Sequence, residues 1–104
     1  MIEILIVDGC PHAVEAFELV QDVVREFGEE ITVNKTVVVD QVQRTGFAGS
    51  PTILVNGRDV EPGTVRRPTG LACRRYVVGG QVRGTPSRDW IVTALEEAGY
   101  ESRR

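Results

Sequence analysis

Residues Ile2-Glu3-Ile4-Leu5-Ile6-Val7 are too uniformly apolar for a strand with one wet face, and predict a central strand buried on both sides. From Pro11 to about Phe27 the period changes. Ala13, Phe17, Val20, Val24 and Phe27 recur at spacings of three and four, and Glu15, Glu18, Asp22, Glu26 and Glu29 occupy the remaining surface. This is an amphipathic helix with its apolar stripe inward, widened by Val14, Leu19 and Val23, and with Gly28 as its C′ stop. Ile31 to Val39 is β-branched almost throughout and predicts a second strand. A strand, a crossover helix and a strand make a right-handed βαβ unit, so the two strands are parallel.

Asp40 to Arg44 predicts a short helix with Asp40 as N-cap, stopped by Gly46. Gly49-Ser50-Pro51-Thr52 then leads into a third strand, Ile53-Leu54-Val55. Asn56-Gly57 follows, a strong hairpin signal, so the third strand turns back antiparallel. Arg58 to Ala72 shows neither period and holds Pro62, Gly63, Pro68 and Gly70, which predicts a long loop. Arg74 to Val78 predicts a fourth, edge strand ended by Gly79-Gly80. Thr85-Pro86 supplies an N-cap and N1 pair, and Trp90, Ile91, Ala94, Leu95 and Ala98 mark a final helix running to Gly99. The expected class is α/β, a four-stranded mixed sheet flanked by helices. One domain spans 1–100, and 101–104 is a frayed tail.

Composition narrows the function classes. With 104 residues, 41% hydrophobic and 26% charged, the chain reads as one soluble globular domain. No apolar run approaches the ~20 residues of a membrane-spanning helix. Met1 lies directly against the first strand, so no signal peptide is expected and the cytoplasm is the expected compartment. Net charge is −3, which offers no general attraction to nucleic acid. Two cysteines in a reducing compartment read as chemistry or metal binding before they read as a staple. Charge is uneven: residues 1–52 carry nine acids and three bases, and residues 53–104 carry six and nine. Arg66, Arg67, Arg74 and Arg75 bracket Cys73. They read either as a solvated loop or as an electropositive pocket for a thiolate or an anionic substrate.

The chemistry centres on Asp8-Gly9-Cys10-Pro11-His12-Ala13, where the first strand runs into the first helix. Pro11 fits N1, which makes Cys10 the N-cap, facing unpaired N–H groups and the positive end of the helix dipole. Such positions favour thiolate over thiol. The alternative is a Cys that packs as a small hydrophobe.

Cys10-Pro11-His12 at this junction, with the run Gly46-Phe47-Ala48-Gly49-Ser50-Pro51-Thr52-Ile53-Leu54-Val55-Asn56-Gly57, resembles the thioredoxin-like fold family, and its disulfide oxidoreductases in particular. The resemblance covers nearly the whole chain. It implies a cis peptide before Pro51, with the loop carrying it set against the active cysteine. The residues around it, Ser50, Pro51 and Thr52, together with Pro11, would bind an extended thiol or peptide through backbone groups, in the manner of strand addition. It further implies that His12 stabilises a Cys10 thiolate.

The departure from the family pattern lies at position 13, where a dithiol site needs cysteine and this chain has Ala13. Three chemistries remain open. Cys73 would be a distant resolving cysteine for Cys10; or Cys10 would work alone through mixed disulfides with a small thiol; or Cys10 and Cys73 would bind a soft metal or meet an oxidant. If Cys73 begins the edge strand, roughly 15 Å separates it from Cys10, against the Cα separation of about 7 Å that a disulfide tolerates. A return of loop 58–72 over the active end would bring the two together. Asp8 reads either as a proton acceptor or as a partner for backbone groups of the Gly9 turn. The Gly-Cys-Pro opening, Gly-Ser-Pro-Thr and Gly70-Leu71-Ala72-Cys73-Arg74 also resemble small thioredoxin-like proteins labelled alkylmercury lyases, although no acid follows Cys10 in its helix before Glu15.

The expected function is thiol–disulfide exchange. Cys10 is the nucleophile, His12 the thiolate stabiliser, Pro51 the orienting element and Cys73 the candidate resolving thiol. Partners would be a small thiol or a protein thiol or disulfide, and no cofactor is expected. The alternative is a non-catalytic binding module for a soft metal or small thiol. Oligomeric state is left open.

Overall fold

The structure, a computed structural model, describes residues 1–27, 30–39, 47–62 and 74–101. Its elements are β1 (Ile2–Ile6), α1 (Ala13–Val24), β2 (Val33–Val37), β3 (Thr52–Val55), β4 (Arg58–Asp59), β5 (Tyr76–Val78), β6 (Gln81–Arg83) and α2 (Arg88–Glu97). The chain is α/β, with a four-stranded mixed sheet ordered β2-β1-β3-β4 and two helices among the described residues. β1 pairs parallel with β2, Ile2 opposite Val33, and antiparallel with β3, Ile2 opposite Val55.

β1 is central and, apart from half-buried Glu3, buried on both faces, as its largely apolar run requires. Ile2, Ile4 and Ile6 point to one side and join Ala16, Val20 and Val23 of α1, Ile53 and Val55 of β3, and Ile91 and Leu95 of α2. Leu5 points the other way, into a smaller cluster with Val38, Phe47 and Leu54. Burying each such aliphatic side chain contributes about 1.5–3 kcal/mol, so these two layers hold the sheet.

The helical face differs from the predicted stripe. Ala16, Val20, Val23 and, beyond the helix, Phe27 are buried, whereas Val14 is 70% exposed and Phe17 lies at the surface with Lys35 Nζ 5.7 Å from its ring centre. Apolar residues at 13, 14, 16, 17, 19 and 20 nearly encircle the first turns, and small Ala16 faces the sheet. α1 stops at Val24, with Arg25 as C-cap, and Gly28 lies outside the described residues.

Asn56-Gly57 does turn the chain. Their φ values of 49° and 83° match the type I′ turn that a right-twisted hairpin requires. The strand it returns is β4, two residues inside the segment predicted as loop. That short strand takes the sheet edge, which overturns the prediction for Arg74 to Val78. Tyr76–Val78 instead pairs with Gln81–Arg83 across Gly79-Gly80, forming a two-stranded ribbon separate from the main sheet.

α2 begins later than the Thr85-Pro86 pair predicts. Ser87 is the N-cap, its Oγ accepting from Trp90 N–H at 3.1 Å. A hydroxyl two residues closer to the apolar stripe caps the turn that Ile91 needs in order to reach the core. The predicted helix 40–44 and residues 102–104 of the tail lie outside the described residues.

Candidate functional site

β1 delivers the chain to Cys10 through two successive turns. Cys10 N–H donates to Val7 O at 3.2 Å, and Gly9 between them has φ 75°, as the third position of a type II turn demands. Ala13 N–H then donates to Cys10 O at 3.3 Å, with Pro11 at the second position of that turn, where its fixed φ is favoured. The first α-helical bond runs from Ala16 N–H to His12 O at 3.0 Å. His12, not Cys10, is therefore the N-cap, and it makes no side-chain cap bond. Proline has initiated a separate turn where the sequence predicted N1 of the helix. Cys10 is a free, half-buried thiol packed beside the main core, and its Sγ makes no hydrogen bond to any described residue. Pro11 and Asp8 are exposed. Asp8 makes no hydrogen bond to a described residue, so it does not serve the Gly9 turn.

His12 Nδ1 lies 3.7 Å from Glu15 Oε2, and the imidazole packs against Gly84. The structure thus gives the ring two neighbours that sequence reasoning did not assign. Glu15 was legible only as a first-turn acid, and Gly84 carried no signal.

The Ser50-Pro51 peptide is cis. Ser50 Oγ accepts from Val7 N–H at 3.0 Å and so fastens this loop to the end of β1, three residues before Cys10. Ser50, Pro51 and Thr52 are all buried, and their polar groups are already engaged. Ser50 O accepts from Arg74 N–H at 2.8 Å, and Pro51 O accepts from Tyr76 Oη at 2.6 Å. Thr52 Oγ1 donates to Gly49 O at 2.5 Å and accepts from Ala48 N–H at 3.2 Å. The backbone acceptors expected to receive a substrate strand are covered by the chain's own segment 74–76.

That segment also bears on the electropositive reading at one of its four arginines. Arg74 points inward with its side chain 2% exposed. Its Nη1 donates to Asp59 Oδ2 at 2.6 Å and Thr52 Oγ1 at 3.3 Å, and its Nη2 to Asp59 Oδ1 at 3.0 Å and Glu61 Oε1 at 2.8 Å. The guanidinium also lies 4.3 Å above the Tyr76 ring centre. Of its five donors only Nε–H lacks a partner among the described residues. Two carboxylates meet this one cation, so Arg74 offers no positive field to an anion. Burial of a guanidinium is tolerable only with such pairing. Arg75 is exposed, while Arg66, Arg67 and Cys73 lie outside the described residues.

Among the described residues no group of three or more His, Cys, Asp or Glu side chains is placed to hold a metal ion. No described helix is long and apolar enough to cross a membrane. At the opposite end of the sheet from Cys10, a groove of about 860 Å³ runs between the β3–β4 hairpin and α2, lined by Val55, Arg58, Val60, Trp90 and Glu97 among others. Comparison with known proteins found no matching family model, no matching curated protein and no matching solved structure.

Proposed function

We propose that this chain is a thioredoxin-like thiol protein in which Cys10 exchanges with disulfides, with Cys73 as the candidate resolving thiol. The observation that carries the reading is the bond from Val7 N–H to Ser50 Oγ, which ties a cis-proline loop to the strand end that leads into Cys10. The strand–helix–strand opening and the antiparallel β3–β4 return support it.

Because segment 74–76 covers Ser50 and Pro51, an extended peptide would have to displace it, whereas a small thiol needs only the surface at exposed Pro11 and half-buried His12. A small thiol or its disulfide is therefore the favoured substrate class. In the exchange, Cys10 Sγ attacks one sulfur of the disulfide RS–SR, a Cys10–SR bond forms, and RS⁻ departs with the electron pair. The Cys73 thiolate then attacks Cys10 Sγ, forming the Cys10–Cys73 bond and releasing the second RS⁻, or a small thiolate R′S⁻ attacks the R sulfur, forming RS–SR′ and releasing Cys10 as thiolate.

The test is peptide mapping of the full chain under non-reducing conditions after exposure to oxidised glutathione, with Cys10→Ser and Cys73→Ser alongside. A glutathione adduct at Cys10 in Cys73→Ser, and a Cys10–Cys73 bridge opened by dithiothreitol in the parent, are expected. Adducts confined to Cys73 would sink the reading.

A further inference from the structure

The groove between the β3–β4 hairpin and α2 stands at the end of the sheet away from Cys10. One wall is a stripe of α2, where Trp90, Ala94 and Glu97 follow at spacings of four and three and so share a helix face. Small Ala94 leaves that face recessed beside the half-buried indole. The other wall holds Arg58 between the buried side chains of Val55 and Val60. At about 860 Å³ the groove has the size of a small-ligand cleft.

Two charges of this lining stand open on opposite walls. Arg58 and Glu97 are exposed, and neither makes an ion pair with a described residue. The other acids of the lining, Asp59 and Glu61, are bound to Arg74. Glu97 lies in the last turn of α2, at the negative end of the helix dipole, and no basic residue of that turn offsets it. The helix wall therefore favours a cation and the hairpin wall an anion. β4 is also the edge of the sheet. Val60 N–H donates inward to Ile53 O at 3.1 Å, so the alternation of an antiparallel pair turns the N–H and C=O of Asp59 outward. Glu61 N–H, the next donor on that side, is taken by Asp59 Oδ1 at 2.9 Å.

We propose that this groove binds a short peptide with apolar side chains and free ends. Its amino group meets Glu97, its carboxylate meets Arg58, and an apolar side chain lies against Trp90 and Ala94. The peptide backbone runs beside the open edge at Asp59. Opposite charges joined by amide groups and an apolar body are what these walls complement, and the site does not depend on the chemistry of Cys10.

Trp90 is the one tryptophan of the chain, so its emission reports directly on the groove. Trileucine is titrated into the full chain, beside its N-acetyl and C-terminal amide forms, with Trp90 fluorescence and backbone amide chemical shifts as readouts. A saturable change in emission is expected, with shifts gathered at β4 and α2. Acetylation and amidation should each weaken binding roughly tenfold, about the worth of one charge-assisted hydrogen bond at an exposed site. Glu97→Gln, at an exposed position, should weaken trileucine to the same degree and abolish the acetylation penalty. Arg58→Gln should do the same for amidation. The blocked peptides probe the parent chain, so that arm holds even where a variant fails to fold. No change in emission at millimolar trileucine overturns the proposal. So does a blocked peptide that binds as well as the free one, a penalty that survives the matching substitution, or shifts gathered at Cys10.

Discussion

Tyr76 Oη donates to the Pro51 carbonyl at 2.6 Å, joining a fully buried phenol on the β5–β6 ribbon to the cis-proline loop 25 residues earlier. The same ring lies under the Arg74 guanidinium and 6.4 Å from Trp90, centre to centre. Removing only the hydroxyl, in Tyr76→Phe, leaves a buried carbonyl without this donor. A loss of about 1–3 kcal/mol is expected in urea denaturation, with the fold retained by circular dichroism.

Arg74 is the harsher case. Arg74→Met leaves Asp59 and Glu61 facing each other with side chains only 16% and 13% exposed. A destabilisation of about 3–5 kcal/mol is expected, since the buried Asp59 carboxylate loses the guanidinium that pairs it. Arg25→Ala, which removes the surface pair with Asp22, should change stability by roughly 0.2–1 kcal/mol at most. Equal costs for the two substitutions in the same urea titration would refute the buried cluster.

The orientation of α1 and α2 can be checked by truncation. Leu95→Ala, at a fully buried position of the main core, should cost about 2–5 kcal/mol. Val14→Ala removes a side chain that is 70% exposed and should stay within about 0.5 kcal/mol of the parent. A large effect at Val14 would restore the stripe read from the sequence.

At the hairpin, Gly57 holds φ 83°, where a Cβ crowds the following carbonyl. Gly57→Val should cost at least about 1–2 kcal/mol, and thermal melts of Gly57→Val beside Gly57→Ala would rank the two by bulk.

β1, α1, β2 and the Asn56-Gly57 turn were legible because each rests on local information: a period, or a dihedral preference. β4 was not, since two residues carry no period. Tyr76-Val77-Val78 was legible as a strand but not as part of a separate ribbon, because pairing is settled by which edge is free, and Arg58–Asp59 had already taken the sheet edge. Cys10 could be picked out from its flanking Gly and Pro and its place at a strand end, whereas the cis proline came only with the resemblance carried by Gly46 to Gly57. The burial of Arg74 could not, because its carboxylates stand 15 and 13 residues away at Asp59 and Glu61, and a run of arginines reads as solvated until they are found. His12 showed itself as a lone imidazole. Its contact with Gly84 had no sequence signal, since what matters there is an absent side chain.

β1 is buried except at half-buried Glu3 and has a paired neighbour on each side, whereas β2 leaves Asn34 to Val37 exposed at the sheet margin. Amide hydrogen exchange should therefore proceed from the margin inward, with β2 labelling early and the amides of β1 last, close to the free energy of global opening. The turns around Cys10 hang from the end of that slowest strand. Fluctuations that fray β2 or part the β5–β6 ribbon would leave the thiol's mooring in place, and only cooperative opening of the whole sheet would release it.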